Sequence, residues 1–137
     1  MILLNNSIVE LDYNPATDVL EVAYPDLHDY LLPEVKHTID NMVDIIKNYD
    51  IGKLLLDSSR TSILVSTERS TEISMHLAAG LAKTRLSKLA RVQSLSNAVE
   101  TTAQNNISKI STSLNLPFKL QTFTCKGDAL EWLVDRD

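Results

Sequence analysis

Residues 53–60 constrain the fold more than any other stretch of this chain. Lys53 and three consecutive leucines are followed at once by an acidic residue, two serines and an arginine. An apolar run without alternation is typical of a strand that is covered on both of its faces. The stretch therefore predicts a central, buried strand that ends in a short polar turn.

The segments before this strand have the pattern of an antiparallel hairpin. Apolar and polar residues alternate over residues 7–13, and a second strand pattern covers residues 19–24. Between them, Pro15 fixes its own φ angle, while the side chains of Asn14 and Asp18 favour hydrogen bonds to the local backbone. Two strand patterns joined by such turn residues predict a hairpin.

Helical patterns alternate with strand patterns through the rest of the chain. The first helix is predicted from Pro33 to a stop at residues 48–52, the second over residues 67–83, the third from Ser96 or Asn97 to Leu114, and a last short one around Trp132. Strands are predicted over residues 88–94 and 118–123. This order predicts parallel strands joined by right-handed crossovers. The expected architecture is one α/β domain over residues 1–137, with a mixed five-stranded sheet, an N-terminal antiparallel hairpin, helix–strand repeats and a C-terminal helix.

Residue types also predict the placement of particular side chains. Gly52 is expected to take a positive φ angle at the end of the first helix. Residues 63–65 are consecutively apolar; they either tuck into the core as a short turn or strand, or form an exposed patch for a partner or lid. Two helices have an apolar stripe that is expected to pack inward. In the first helix it consists of Val35, Ile39, Met42, Val43 and Ile46, and in the third helix of Val99, Ala103, Ile107, Ile110 and Leu114.

Composition and charge bound the class of protein. A net charge of −5 without a basic run disfavours nucleic acid as a partner. No apolar segment approaches the roughly 20 residues of a membrane span, so no stable membrane insertion is expected, and the apolar run at residues 1–4 is too short for a signal peptide. The single cysteine, Cys125, excludes an internal disulfide and predicts a cytoplasmic location.

The order of elements, together with particular residues, resembles the SpoIIAA-like, STAS-type domain family, including the STAS/SEC14 domain proteins. The residues that carry the resemblance are Tyr13 before the hairpin turn, residues 53–57, residues 88–92 and residues 129–133. The resemblance covers nearly the whole chain. It implies a SpoIIAA-like fold and a non-catalytic regulatory role exercised through a protein partner.

The resemblance also implies a regulatory turn. In the anti-sigma-factor antagonists of this superfamily, an Asp-Ser-Ser-Gly turn after the central strand carries a phosphorylated serine. Asp57, Ser58 and Ser59 match its first three positions, which makes Ser58 the counterpart of that serine. Arg60 stands where the family has glycine, and a long loop follows in place of a helix. The SEC14-related members imply lipid or small-ligand binding instead.

The carboxyl ends of the parallel strands form the expected ligand edge. This edge is expected to bring together His28, residues 57–60, Ser96 and Asn97. Free N–H groups at the predicted helix N-termini, near Thr67 and Asn97, favour an anion or phosphate there. The same residue types are also ordinary helix caps and turn formers, so both interpretations stay open.

No constellation of residues predicts catalysis, a cofactor or a metal site. Ser58, His28 and Asp57 are the residue types of a hydrolase triad, but the Gly-x-Ser-x-Gly elbow is missing. His37, Asp40 and Asp44 share the polar face of the first helix, which is typical of a charged surface.

Arg91 lies within a predicted central strand and needs a partner if its charge is buried. Asp57 on the neighbouring strand is the candidate partner. Alternatively, the long side chain of Arg91 carries its guanidinium to the edge of the sheet.

Two functional hypotheses remain. The first is a regulatory or protein-interaction domain, modulated by phosphorylation at Ser58 or Ser59. The alternative is a binding module for a small apolar or anionic ligand, or a lipid, at the carboxyl edge of the sheet. A homodimer is expected in addition, because edge strands and apolar helix faces in small domains often pair.

Overall fold

The computed structural model describes residues 1–135, which form eight strands and four α-helices. A 3₁₀ turn, Asp29–Leu31, precedes the first helix. The strands are β1 (Ile2–Asn5), β2 (Glu10–Asn14), β3 (Val19–Ala23), β4 (Leu27–His28), β5 (Lys53–Asp57), β6 (Ile63–Leu64), β7 (Lys88–Val92) and β8 (Lys119–Phe123). The helices are α1 (Leu32–Asn48), α2 (Thr67–Leu81), α3 (Asn97–Ser113) and α4 (Lys126–Val134).

Six of the strands form one mixed sheet in the order β1-β2-β3-β5-β7-β8. The strands β1, β2 and β3 are antiparallel, whereas β3, β5, β7 and β8 are parallel. The predicted α/β class, the hairpin and the mixed sheet are therefore confirmed. The predicted number of five strands was wrong, because β1 adds a sixth strand by pairing with β2.

The central strand β5 is covered on both faces, as the leucine run predicted. Leu54 and Leu56 pack into the larger core, which also contains buried residues of α1 and α2. Leu55 faces the opposite side and packs with Ala129 and Leu133 of α4. One face of the sheet thus carries helices α1 to α3, and the other carries α4.

The inward stripe of α1 is confirmed, but that of α3 is only partly so. The α1 residues at the predicted positions are all buried, namely Val35, Ile39, Met42, Val43 and Ile46. On α3, Ile110 is buried, whereas Val99, Ala103 and Ile107 are only half-buried. The reason is that the space between α3 and the sheet is incompletely filled.

The prediction that Gly52 takes a positive φ angle was wrong; Asp50, two residues earlier, does so with φ 54°. Gly52 instead leaves room for a neighbouring carboxylate, since a Cβ atom there would lie 2.6 Å from Asp18 Oδ2 and would push it aside. That carboxylate accepts from the Gly52 backbone N–H at 3.0 Å and from the Tyr13 hydroxyl at 2.7 Å. This network fastens the hairpin turn to the start of β5.

The apolar segment at residues 63–65 forms a short strand, as the first of its two interpretations held. Ile63 and Leu64 form β6, which pairs with β4 in a separate two-stranded sheet. Ile63 and Val65 pack against the core, while Leu64 is 68% exposed. The segment therefore covers one end of the space beneath α2.

Candidate functional site

A cavity of about 90 Å³ lies between the main sheet and helices α2 and α3. Most of its lining is apolar, including Leu77, Leu89, Ala103, Ile107, Ile110 and Phe118. Polar side chains lie among these residues, and they include Tyr24, Ser58, Ser70, Ser74, Arg91 and Asn106. An apolar enclosure with a few placed polar groups is the usual form of a small-molecule site.

Asn106 is the centre of a polar cluster that joins α2 to α3. Its side-chain amide donates to Ser70 Oγ at 3.1 Å and to Ser74 Oγ at 3.3 Å. Its carbonyl oxygen accepts from the hydroxyl of Thr71 at 2.7 Å. Asn106 and Ser70 are buried, so these bonds satisfy groups that would otherwise be costly to remove from water.

Arg91 forms a buried ion pair with Glu100 of α3. Its Nη1 and Nη2 atoms donate to the two carboxylate oxygens, each at 2.9 Å, and the side chains of Arg91 and Glu100 are 8% and 16% exposed. The prediction that Asp57 partners Arg91 was wrong. In the register of β5 and β7, Arg91 is paired with Leu56, so the side chain of Asp57 points to the opposite face of the sheet.

Glu100 is ionised across the physiological pH range. Its burial raises the pKa, but the hydrogen bonds from Arg91, Gln104 and the Ser94 backbone, together with the charge of Arg91, more than offset this and lower the pKa to about 2. Glu100 does not form a capping box, because Ser96, four residues earlier, caps α3 by accepting from Val99 N–H. Glu100 instead holds Arg91 in place.

We expect stability to fall at acidic pH through Glu100. Its folded pKa of about 2 lies below its ordinary value of 4.5, so the stabilisation is complete above about pH 5 and is lost as the pH falls towards 2. Allowing for partial solvent screening, the loss is about 2–3 kcal/mol. Urea denaturation of the wild type and of Glu100→Gln between pH 2 and 7 measures it. Parallel pH profiles for the two proteins would contradict this expectation.

Tyr24 lies at the end of the cavity nearest the carboxyl edge of the sheet. Burial raises the pKa of its hydroxyl, while a hydrogen bond with Ser74 and the charge of Arg91 act in the opposite direction. The backbone carbonyl of Tyr24 accepts from the Thr61 hydroxyl at 2.9 Å. Tyr24 is therefore a neutral phenol at physiological pH, and it closes the cavity together with Thr61.

The turn after β5 divides its side chains between the inside and the outside of the domain. Ser58 is only 6% exposed and lines the cavity. Asp57, Ser59 and Arg60 line an open groove of about 390 Å³ at the carboxyl edge of the sheet. Asp57 Oδ1 accepts from the Ser59 backbone N–H at 3.0 Å. Phosphorylation of Ser58 would therefore require this turn to open first.

Of the remaining residues of the expected ligand edge, Ser96 and Asn97 lie near the turn after β5, whereas His28 lies in the small sheet. The Leu95 backbone N–H donates to Ser59 O at 3.3 Å, which places the exposed start of α3, with Ser96 and Asn97, beside the turn. His28 lies in β4 of the small sheet, stacked on Tyr30 with 5.6 Å between ring centroids. His28 therefore belongs to a different surface from Ser58.

The serines at the helix N-termini and the histidine on α2 bond to neighbouring parts of the protein, which supports a structural role for them. Ser66 caps α2 by accepting from Arg69 N–H, as Ser96 does for α3. His76 of α2 pairs with Asp40 of α1 at 2.8 Å. Within residues 1–135, no group of three or more His, Cys, Asp or Glu side chains is arranged to hold a metal ion.

Sequence reasoning missed the polar residues that line the cavity. Asn106 falls three residues after Ala103 and four before Ile110, so it stands on the apolar stripe of α3. Ser70 and Ser74 occupy equivalent positions on α2, three residues before the buried Ile73 and Leu77, respectively. The sequence did contain a signal for these residues, namely a polar residue within the apolar stripe of a helix. Such a residue faces the interior, where its polar group needs a hydrogen-bond partner.

Comparisons with protein-family models, with curated proteins and with solved structures found no match to this chain. Within residues 1–135, no helix has both the length and the apolar character needed to cross a membrane.

Proposed function

We propose that this chain is a non-catalytic binding module, of the STAS type in its organisation, that holds a small and mainly apolar molecule between its sheet and helices α2 and α3. The observation that carries the proposal is the cavity of about 90 Å³ with polar side chains set into an apolar lining. Its position beneath two helices, behind the carboxyl edge of the sheet, differs from the surface edge that the sequence suggested.

The residues that line the cavity support this proposal. Small residues at the lining positions, such as Ala78, Ala103 and Ser111, keep the space open. Larger apolar side chains at these positions would fill the space, and its mainly apolar lining favours an apolar ligand.

A regulatory role follows from the position of the turn after β5. Ser58 touches the cavity, while its neighbours Asp57, Ser59 and Arg60 form the outer groove. Occupancy of the cavity can therefore alter the surface that a protein partner would contact. Burial of Ser58 favours ligand binding over phosphorylation as the signal that this turn receives.

The proposal predicts that Ala103→Leu abolishes ligand retention, because the added side chain fills the cavity. Wild-type and variant proteins are purified from the source cells and heated, and the small molecules released are compared by headspace gas chromatography with mass spectrometry. We expect a compound released by the wild type and absent from Ala103→Leu. Ala98→Leu is the matched control, since Ala98 is an exposed residue of the same helix.

Ala98→Leu is expected to release the same compound as the wild type. Equal release from the wild type and from Ala103→Leu would contradict the proposal, as would no released compound from any of the three proteins. A circular dichroism spectrum of each variant confirms that the comparison is made between folded proteins.

A further inference from the structure

The charges around the cavity restrict what it can bind. Of the lining residues that the structure describes, Arg91 alone carries a charge. Glu100 pairs with it through two hydrogen bonds of 2.9 Å and is ionised at neutral pH, so the pair as a whole has no net charge. The cavity is therefore electrically neutral despite its buried arginine.

We infer that the molecule held in this cavity is uncharged, with an apolar body and one hydrogen-bond acceptor, such as a ketone or ester carbonyl, that bonds to Arg91. This inference rests on the proposed function and specifies the chemistry of its ligand. It departs from the anionic ligand that the sequence suggested as one alternative.

The ion pair disfavours charged ligands of either sign. An anion would share Arg91 with Glu100 and leave one negative charge without a partner inside the apolar enclosure. Removing such a charge from water without a full partner is costly. A cation would be repelled by Arg91, and no carboxylate among the described lining residues would compensate it.

Arg91 still has a donor for a neutral ligand. Its Nη1 atom bonds to Glu100 and Thr122, and its Nη2 atom bonds to Glu100. Among residues 1–135, its Nε–H group has no acceptor. Every fully covered polar side-chain atom in these residues has a hydrogen-bond partner, so the Nε atom must be accessible to a small molecule. Because Arg91 lines the cavity and is otherwise covered, this N–H group is a donor that a ligand can use.

The size of the cavity limits the ligand to a few atoms. An apolar cavity of about 150 Å³ accommodates benzene, which has six non-hydrogen atoms. The cavity here is about 90 Å³, so by the same proportion about four non-hydrogen atoms fit inside it, and the rest of a six-atom ligand extends towards the half-buried face of α3. Short-chain ketones and esters have this size and carry the required acceptor.

Three molecules of similar shape separate the effect of charge from that of size. They are 2-pentanone, which is neutral, butyrate, which is an anion, and 2-aminopentane, which is a cation at pH 7. Each is titrated into the ¹⁵N-labelled protein and followed by two-dimensional NMR. We expect 2-pentanone to shift the amide signals of Tyr24, Ser58 and Asn106 and to bind at least about tenfold more tightly than the other two.

Glu100→Gln provides a charge-swap test of the same inference. It leaves Arg91 as an uncompensated cation, so butyrate is expected to gain about tenfold in affinity relative to 2-pentanone. A folded Glu100→Gln protein that keeps the wild-type order of affinities overturns the inference. Should this variant fail to fold, the three wild-type titrations decide the matter.

The outcomes distinguish the inference from the proposed function. Butyrate or 2-aminopentane binding in the cavity as tightly as 2-pentanone overturns the inference and leaves the binding function standing. Absence of binding by all three molecules overturns both. Ala103→Leu is the location control, since it is expected to abolish the shifts caused by 2-pentanone, whereas Ala98→Leu is expected to keep them. Shifts that persist in Ala103→Leu place the probe outside the cavity and overturn the inference.

Discussion

Glu100→Ala is expected to destabilise the protein by about 3–5 kcal/mol, measured by urea denaturation at pH 7. The substitution removes the partner of Arg91, whose side chain is 8% exposed, and leaves a buried guanidinium without a counter-charge. It also removes the acceptor of the Ser94 backbone N–H. A small domain has only about 5–15 kcal/mol of total stability, so this loss is a large fraction of it.

Two further variants isolate the ion pair as the cause. Glu68→Ala is the matched control, because Glu68 is an exposed acidic residue in the first turn of α2, as Glu100 is in the first turn of α3. We expect it to cost less than about 1 kcal/mol. The double variant Arg91→Met/Glu100→Leu is expected to recover most of the lost stability, since replacing both charges avoids an unpaired one. Equal losses for Glu100→Ala and Glu68→Ala would contradict this account.

Lys88→Met is expected to loosen α4 from the sheet and to cost about 1–3 kcal/mol. The buried Lys88 ammonium donates to the backbone carbonyls of Trp132 and Asp135 at 2.9 and 2.8 Å. It also lies 5.0 Å from the centroid of the Trp132 ring. A cation at the C-terminal end of a helix satisfies carbonyls that have no intrahelical donor.

Trp132 is the only tryptophan of the chain, so its fluorescence reports directly on the docking of α4. We expect a red-shifted emission and faster hydrogen exchange of α4 in Lys88→Met. Lys119→Met is the control, because Lys119 is exposed and is the register partner of Lys88 on β8. That variant is expected to stay within about 0.5 kcal/mol of the wild type. An unchanged emission in Lys88→Met would contradict the role assigned to Lys88.

The order and burial of the main elements could be predicted from the sequence because burial is periodic. The run at Leu54, Leu55 and Leu56 and the stripe on α1 each predicted a buried surface that the structure contains. Strand β1 was missed because Ile2–Asn5 has no alternation; it is a strand only through its pairing with β2. The pattern of apolar and polar residues within a short segment does not show which strand that segment will pair with at a sheet edge.

The candidate site was less predictable, because it depends on distances between elements. Helical periodicity placed Ala103 and Ile107 on the inward face of α3, but it contains no information on how closely that face approaches the sheet. Likewise, the partner of Arg91 depends on strand register, and a shift of one residue reverses the face to which a side chain points. Asp57 was expected on the wrong face for this reason.

Helix α2 packs closely against α1, whereas α3 packs less fully on the sheet. A Cβ atom at Gly80 of α2 would lie 2.8 Å from Val43 Cγ2 of α1, so any larger residue at this position would push against the Val43 side chain. Helix α3, by contrast, rests on half-buried Val99, Ala103 and Ile107. Under the proposed function, a ligand larger than the cavity is therefore accommodated by a shift of α3 rather than of α2.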